Sequence, residues 1–241
     1  MPNHFTLSAW RAWAPGIGDQ SDWVRWRRGE LSLAGDALPD VSFLPAMQRR
    51  RLSALAKAAF STAQPLLAGR DMPLLCCSVH GEARRTYSLL QDVVGGEPLS
   101  PTAFGLSVHN AIAGQLSILC GIRSPALALA GGDLPLQAGL LEAAGMLAEG
   151  LPELVLLFCE EPLPELYRHS AQSPPFICAT ALHLSAGSAE GAAICEMVQA
   201  DAGGPESAFE SAEYQLPLIA ALVDGGGRVP LGQGWEVRIG G

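Results

Sequence analysis

The chain has 241 residues, of which 49% are hydrophobic and 16% charged, enough for one large domain or two small ones and too apolar for a disordered chain. Its net charge of −9 argues against a general nucleic-acid binder, which presents a basic surface. No apolar run reaches the about 18 residues of a membrane span, and the start, MPNHFTLSAWRAWAPG, lacks the basic head and apolar stretch of a secretory signal, so a cytoplasmic protein without membrane insertion is expected.

The first forty residues are punctuated by Pro15, Gly16, Gly18 and Pro39 and read as loop-rich, with a short strand over 7–13 and Trp10, Trp13, Trp23 and Trp26 as large apolar anchors. A helix is expected from residue 42 or 45 to 64. Phe43, Leu44, Met47, Leu52, Leu55, Ala56, Ala59 and Phe60 form its apolar face, Arg49 to Arg51 interrupt it, and Pro65 closes it. Residues 74–79 are a short apolar run bounded by Pro73 and Gly81, which predicts a buried strand. A helix over 82–94 follows, ended by Gly95 and Gly96.

Another helix is expected over 110–120, where Ala111, Ala113, Gly114 and Ser117 allow close packing. The run ALALA at 126–130 predicts a strand buried on both faces, then a helix over 133–149 and a strand over 153–159. Residues 177–185 and 191–199, separated by SAGSAE, read as a hairpin. A helix near 216–223 and an end strand near 235–239 complete the chain. Strands and helices alternate, so a single α/β domain spanning 1–241 is expected.

The charge is unevenly placed. Residues 1–85 carry a balance of +4 and residues 86–241 one of −13. Arg25, Arg27, Arg28 and Arg49, Arg50, Arg51 could attract an acidic partner, although a solvated helix face is the usual explanation for such charges.

Chemical signatures are few. The six cysteines, at 76, 77, 120, 159, 178 and 195, show no CxxC pair or Cys/His cluster, and most sit in apolar runs, so reduced core cysteines are expected rather than a metal site or disulfides. There is no GxxxxGK phosphate loop, GxSxG elbow, HExxH or GxGxxG fingerprint, and no cofactor is implied. The histidines at 4, 80, 109, 169 and 183 stand apart from one another in the chain.

The most informative stretch is 107–133, SVHNAIAGQLSILCGIRSPALALAGGD. Asn110 leads a helix rich in small residues, Ala113, Gly114 and Ser117. A turn with Gly121 and Pro125 follows, then the strand 126–130 and a helix from 133. This pattern resembles the β-ketoacyl synthases, the condensing enzymes of the thiolase superfamily. AWRAWAPG at 9–16, WVRW at 23–26 and FLPAMQRRRLSALAKAAFSTA at 43–63 are similar to chain-length-factor-like relatives of the aryl polyene type. The likeness runs from about residue 9 to about 200 and is diffuse outside 107–133.

The resemblance implies the N-terminal half of a thiolase-like fold, a mixed five-stranded sheet with helices on both faces, truncated relative to full condensing enzymes. It places Asp133 where the family has its nucleophilic cysteine. A helix N-terminus favours a thiolate there, and a carboxylate is a far poorer acyl acceptor. Asp133 as a simple helix cap is the alternative. No HGTGT-like or NxxFGFGG-like segment follows residue 160.

The implied function is that of a non-catalytic, chain-length-factor-like partner of a full-length β-ketoacyl-ACP synthase, in a heterodimer that shapes an acyl tunnel in fatty-acid or polyketide biosynthesis. Phe104, Leu106 and Val108 would then form the pairing strand. Asn110, Ile112, Gly114, Gln115, Leu116 and Leu119 would lie at the interface or border the tunnel; all of these are ordinary core residues on the alternative reading. Two rival readings are a scaffold that binds acyl carrier protein through Arg49, Arg50 and Arg51, and a free-standing acyltransferase using Cys76, Cys77 or Cys120.

Overall fold

The computed structural model describes residues 4–67, 69–187, 191–200 and 214–240. In chain order the elements are β1 (His4–Trp13), α1 (Gln20–Arg27), α2 (Ala46–Arg49), α3 (Ala54–Leu67), β2 (Leu74–Cys77), α4 (Ala83–Gly95), α5 (Pro101–Gly105), α6 (Ala111–Cys120), β3 (Ala126–Leu129), α7 (Pro135–Ala148), β4 (Glu153–Glu160), β5 (Cys178–Ser185), β6 (Ala193–Gln199), α8 (Gln215–Val223), β7 (Gly227–Gly232) and β8 (Trp235–Gly240). All eight strands belong to one sheet, ordered β3-β2-β4-β5-β1-β6-β8-β7. Strand β2 runs parallel to both β3 and β4, and the other pairings are antiparallel.

Strand alternation divides the interior into two layers. On β4, Leu154, Leu156 and Phe158 join α7 and α8 on one face, while Val155, Leu157 and Cys159 join α3 and α6 on the other. Strand β2 repeats the division, with Leu75 and Cys77 facing α7 and Leu74 and Cys76 facing α3 and α6. An unbroken apolar run such as LVLLFC is therefore what a strand covered on both faces requires. The chain leaves β2 toward one face and β3 toward the other. The carboxyl ends of such strands are the usual place for a site in an open α/β sheet.

A third cluster closes the end of the molecule near α1. Trp23 is fully buried among Ala14, Ile17 and Ile219, stacks edge-on against Trp26 with ring centroids 5.4 Å apart, and donates its Nε1 hydrogen to the carbonyl of Ala12 at 3.0 Å.

Several expectations change. Among the described residues the sheet has eight strands, not five, because β1 and the C-terminal strands extend it. The segments over 177–185 and 191–199 form strands but not a hairpin, since β1 lies between them, pairing with β5 along its length and with β6 over His4 to Leu7. The long helix of 42–64 is broken at the arginines. Arg50 caps α2, and α3 starts only after Ser53, whose hydroxyl accepts from the Ala56 amide at 2.9 Å. Pro65 does not end α3, which continues to Leu67; the donor it lacks is missed only in the last turn.

Strand β3 is not buried on both faces, because it is the sheet's edge and leaves Ala126 and Leu127 exposed. Residues 101–105 are helical and 106–109 are turn, so no strand forms around Phe104, Leu106 and Val108. Helix α1 and strand β7 were not expected from the sequence either. Helix α1 is started by a reciprocal capping box between Asp19 and Asp22. The β7–β8 hairpin turns through Gln233 at φ 50° and Gly234 at φ 75°, the pair of positive angles a two-residue hairpin turn needs.

Candidate functional site

The carboxyl ends of β2, β3 and β4 converge on one region. The Ser78 amide donates to the Leu129 carbonyl at 3.0 Å, which keeps the ends of β2 and β3 together. From β3 the chain makes a tight turn, with the Leu134 amide on the Gly131 carbonyl at 3.2 Å, and enters α7 through Pro135 at its first position. A Cβ on Gly131 would stand 2.3 Å from the Pro135 Cα, so this close approach of strand end to helix start is open only to glycine. The Leu134 side chain lies so close to Gly232 that a Cβ there would meet its Cδ2 at 2.3 Å, which ties the turn to β7.

Asp133 sits in this turn, exposed, beside the positive end of α7. It is not the helix cap that the sequence alternative suggested. The N-cap residue is Leu134, and no side chain bonds the first amides.

Beneath the turn lies a buried polar nest. The Glu160 carboxylate, at 2% exposure, accepts from the Val79 amide at 2.6 Å, the Tyr214 hydroxyl at 3.0 Å and the Ser78 hydroxyl at 3.3 Å. Burial nevertheless pushes its carboxyl up to about 7, against these donors. Glu161 accepts from the Arg84 amide at 3.0 Å, and burial, aided by the neighbouring Glu82, pushes it up to about 7 as well. Glu82 accepts from the Ser53 hydroxyl at 2.6 Å and lies 3.4 Å from Arg85 Nε. None of these glutamates was singled out in the sequence. The legible signal was the pair EE directly after the apolar strand of 153–159.

The surroundings of Cys77, Cys120, Cys159 and Cys195 oppose a thiolate. Cys76 and Cys159 face each other at 3.8 Å between sulfurs, and Cys77 Sγ donates to the Pro135 carbonyl at 3.4 Å. Burial pushes the thiols of Cys77 and Cys120 up and that of Cys195 to about 12, while contact with Cys76 raises Cys159. The nearby imidazoles bond elsewhere, His109 to the Ser78 carbonyl and His80 to the Gln172 carbonyl, both at 2.8 Å. A thiolate at neutral pH needs the opposite surroundings. Among the described residues no group of three His, Cys, Asp or Glu side chains is placed to hold a metal, and no helix is long and apolar enough to cross a membrane.

The candidate interface residues separate into two groups. Phe104, at 63% exposure, and Val108 are exposed, Leu106 is half-buried, and Asn110 heads α6 without using its side chain as a cap. Gly114, Gln115 and Leu119 are partly exposed, whereas Ile112 and Leu116 are buried in the core against α3 and cannot touch a partner. Beside them Ile118 is 78% exposed, and Leu127, on the open edge strand, 41%. Arg49, Arg50 and Arg51 lie on the α2–α3 break, the last two exposed, with Phe43 and Met47 exposed nearby in the chain.

The family "beta-ketoacyl synthase, N-terminal domain" matches residues 23–232. Among solved structures, a chain of the ketosynthase ApeO in complex with its chain length factor ApeC from Xenorhabdus doucetiae matches 98% of this chain and 99% of its own at 25% identity, with a TM-score of 0.78. The ishigamide ketosynthase/chain length factor matches 90% of this chain and 72% of its own at 17% identity and a TM-score of 0.61. A type II polyketide acyl-carrier protein in complex with its ketosynthase, AntDE:AntF, matches 77% and 64% at 14% identity and a TM-score of 0.55. No curated protein matches. The fold is accordingly the thiolase-like fold of ketosynthases, as expected; the first of these chains has about the extent of this one, and this chain covers 72% and 64% of the other two.

Proposed function

We propose, for a chain that belongs to the β-ketoacyl synthase N-terminal domain family, that it is a chain-length-factor-type subunit. It pairs with a β-ketoacyl-ACP synthase, forms no acyl-enzyme itself, and helps bound the tunnel that holds the growing chain in aryl polyene-type synthesis. The observation that carries this reading is Asp133, exposed at the strand–turn–helix junction that the family resemblance assigns to the nucleophile. The side chain there is a carboxylate beside a helix N-terminus. An acyl group transferred to it would form a mixed anhydride rather than a thioester, so it does not take over a growing chain from a carrier thioester.

The open edge of β3 supports the pairing. An unpaired edge strand exposes a row of backbone donors and acceptors that another strand can complete. Leu127 on that strand and Ile118 on the helix that packs on it give exposed apolar surface there, and Phe104 and Val108, earlier in the chain, are exposed as well. On this reading Phe104, Leu106, Val108, Asn110, Gly114, Gln115 and Leu119 face the partner or the tunnel, and Ile112 and Leu116 support them from within.

A second reading, which is compatible with the first, rests on the exposed Arg50 and Arg51 beside exposed Met47. Basic and apolar side chains together suit the acidic amphipathic helix of an acyl carrier protein.

The test is product formation by the co-expressed pair. With wild type or Asp133→Ala, chain extension is expected to proceed, while replacing the partner's nucleophilic cysteine by alanine abolishes it. Asp133 is exposed and bonds no helix amide, so its replacement should change stability by no more than about 0.5 kcal/mol. Acyl labelling of this chain alone by a carrier thioester, or loss of extension in Asp133→Ala, would sink the reading.

A further inference from the structure

Helix α4 is attached to the rest of the molecule in an unusual way. Leu89 is its only buried side chain, and it packs chiefly on α5; its second half exposes Leu90, Val93 and Val94. What holds it is polar and lies at its base. The amide of Val79, just before it, donates to Glu160, and the amide of Arg84, in its first turn, donates to Glu161. Glu82 joins the base to Ser53 at the start of α3. Tyr87 adds an edge-on contact with Tyr167, ring centroids 5.8 Å apart, and the Thr86 hydroxyl donates to the Ser107 carbonyl at 3.3 Å.

The charges at this base do not cancel. Three carboxylates, at 2–3% exposure, face two arginines, and both arginines come from α4 itself. Arg85 Nε stands 3.4 Å from Glu82, and Arg84 Nε 3.9 Å from Glu161, with most of its side chain in solvent. The other titratable groups facing the cluster are Cys77 on β2, Cys159 on β4, Cys178 on β5 and Tyr214 at α8, none of which is a cation. His80 and His109 are bonded to carbonyls. With all three carboxyls ionised, the buried negative charges outnumber the cations beside them by one, a costly arrangement that water or a proton relieves.

We propose that Glu82, Glu160 and Glu161 form a proton-operated latch at the base of α4, closed when the cluster holds a proton and released to solvent as it loses one. The inference stands whether or not the chain pairs with a synthase. The sign follows from linkage. Closing the latch raises the carboxyls of Glu160 and Glu161 to about 7 from an ordinary 4.5, so opening is favoured as pH climbs through that interval. For one carboxyl the opening constant rises by about thirtyfold between pH 5.5 and 8.5.

The amides of Val79 and Arg84 are built-in reporters, since each donates directly to a latch carboxylate. Their hydrogen exchange in the full chain, followed by NMR and corrected for intrinsic rates, is expected to accelerate about thirtyfold over that pH range relative to core amides of β4. Glu161→Gln should remove most of the effect at Arg84. Tyr214→Phe, which deletes a donor to ionised Glu160, should move the transition at Val79 to higher pH. Unchanged protection of both amides in wild type overturns the latch. So does a Glu161→Gln variant with the wild-type pH response, or a Tyr214→Phe transition that moves to lower pH.

Discussion

At pH 8 the Glu160→Gln variant is expected to be more stable than wild type by about 3 kcal/mol, and at pH 4.5 the two should be nearly equal. Glu160 is ordinary in the unfolded chain, near 4.5, and raised to about 7 in the folded one. The folded state therefore binds more protons between these values. The stability tied to the protonated carboxyl is fully present below pH 4.5 and is lost as pH rises through about 7. Above that the cost is constant at about 2.5 pH units, or about 3 kcal/mol.

Glutamine keeps a carbonyl oxygen for the Val79 amide and Tyr214 hydroxyl and carries no charge, so it reproduces the protonated form. Urea unfolding at the two pH values gives the comparison. A variant less stable than wild type at pH 8 would mean that the ionised form is held by its three donors more strongly than burial opposes it.

Trp23→Ala should cost about 3–5 kcal/mol at any pH, the range for emptying a large aromatic from a core. Trp23 is fully buried where β1, α1 and α8 meet, and its loss would also leave the Ala12 carbonyl without its indole donor. Refilling is hindered because the neighbours are small or held, namely Ala14, Ile17, Ile219 and the edge-stacked Trp26. The surface ion pair of Arg27 with Asp224, which also joins α1 to α8, is half exposed on both sides and cannot compensate. The destabilisation is read from the midpoint of urea unfolding. A loss below about 1 kcal/mol would show that this corner is not part of the cooperative core.

These two effects differ in how visible they were in the sequence. Trp23 stood out as one of four tryptophans in a loop-rich stretch. The capping box of Asp19 and Asp22, three residues apart, is the local signal that would have revealed the helix carrying it. The strands of 74–79 and 153–159 were legible because burial on both faces leaves an unbroken apolar run. The hairpin expected over 177–199 failed because strand neighbours are set by long-range pairing. Nothing local in HFTLSAWRAW says that it will insert between two strands more than 160 residues away.

ALALA at 126–130 failed in the opposite direction. Its residues are apolar enough for a central strand, but among the described residues it has no outer neighbour, and composition alone does not distinguish a core strand from an edge strand. Asp133 was singled out through the family resemblance of 107–133. The glutamate nest was not, since its members at 82, 160 and 161 meet only once β2 and β4 are adjacent. The β7–β8 hairpin was hidden by a turn, Gln233 and Gly234, that lacks the usual Asn or Asp ahead of its glycine.

The edge strand and the carboxylate turn lie together in one claim, that this chain completes a synthase rather than acting as one. Native mass measurement of the chain co-expressed with a β-ketoacyl-ACP synthase of the aryl polyene type tests it most directly. A complex with one copy of each chain is predicted. Leu127→Arg and Ile118→Arg, both at exposed positions that leave the fold intact, should weaken the complex by about 2 kcal/mol or more, a factor of about 30 in Kd. A chain that stays monomeric beside the synthase, or a complex whose affinity ignores both arginines, would contradict it.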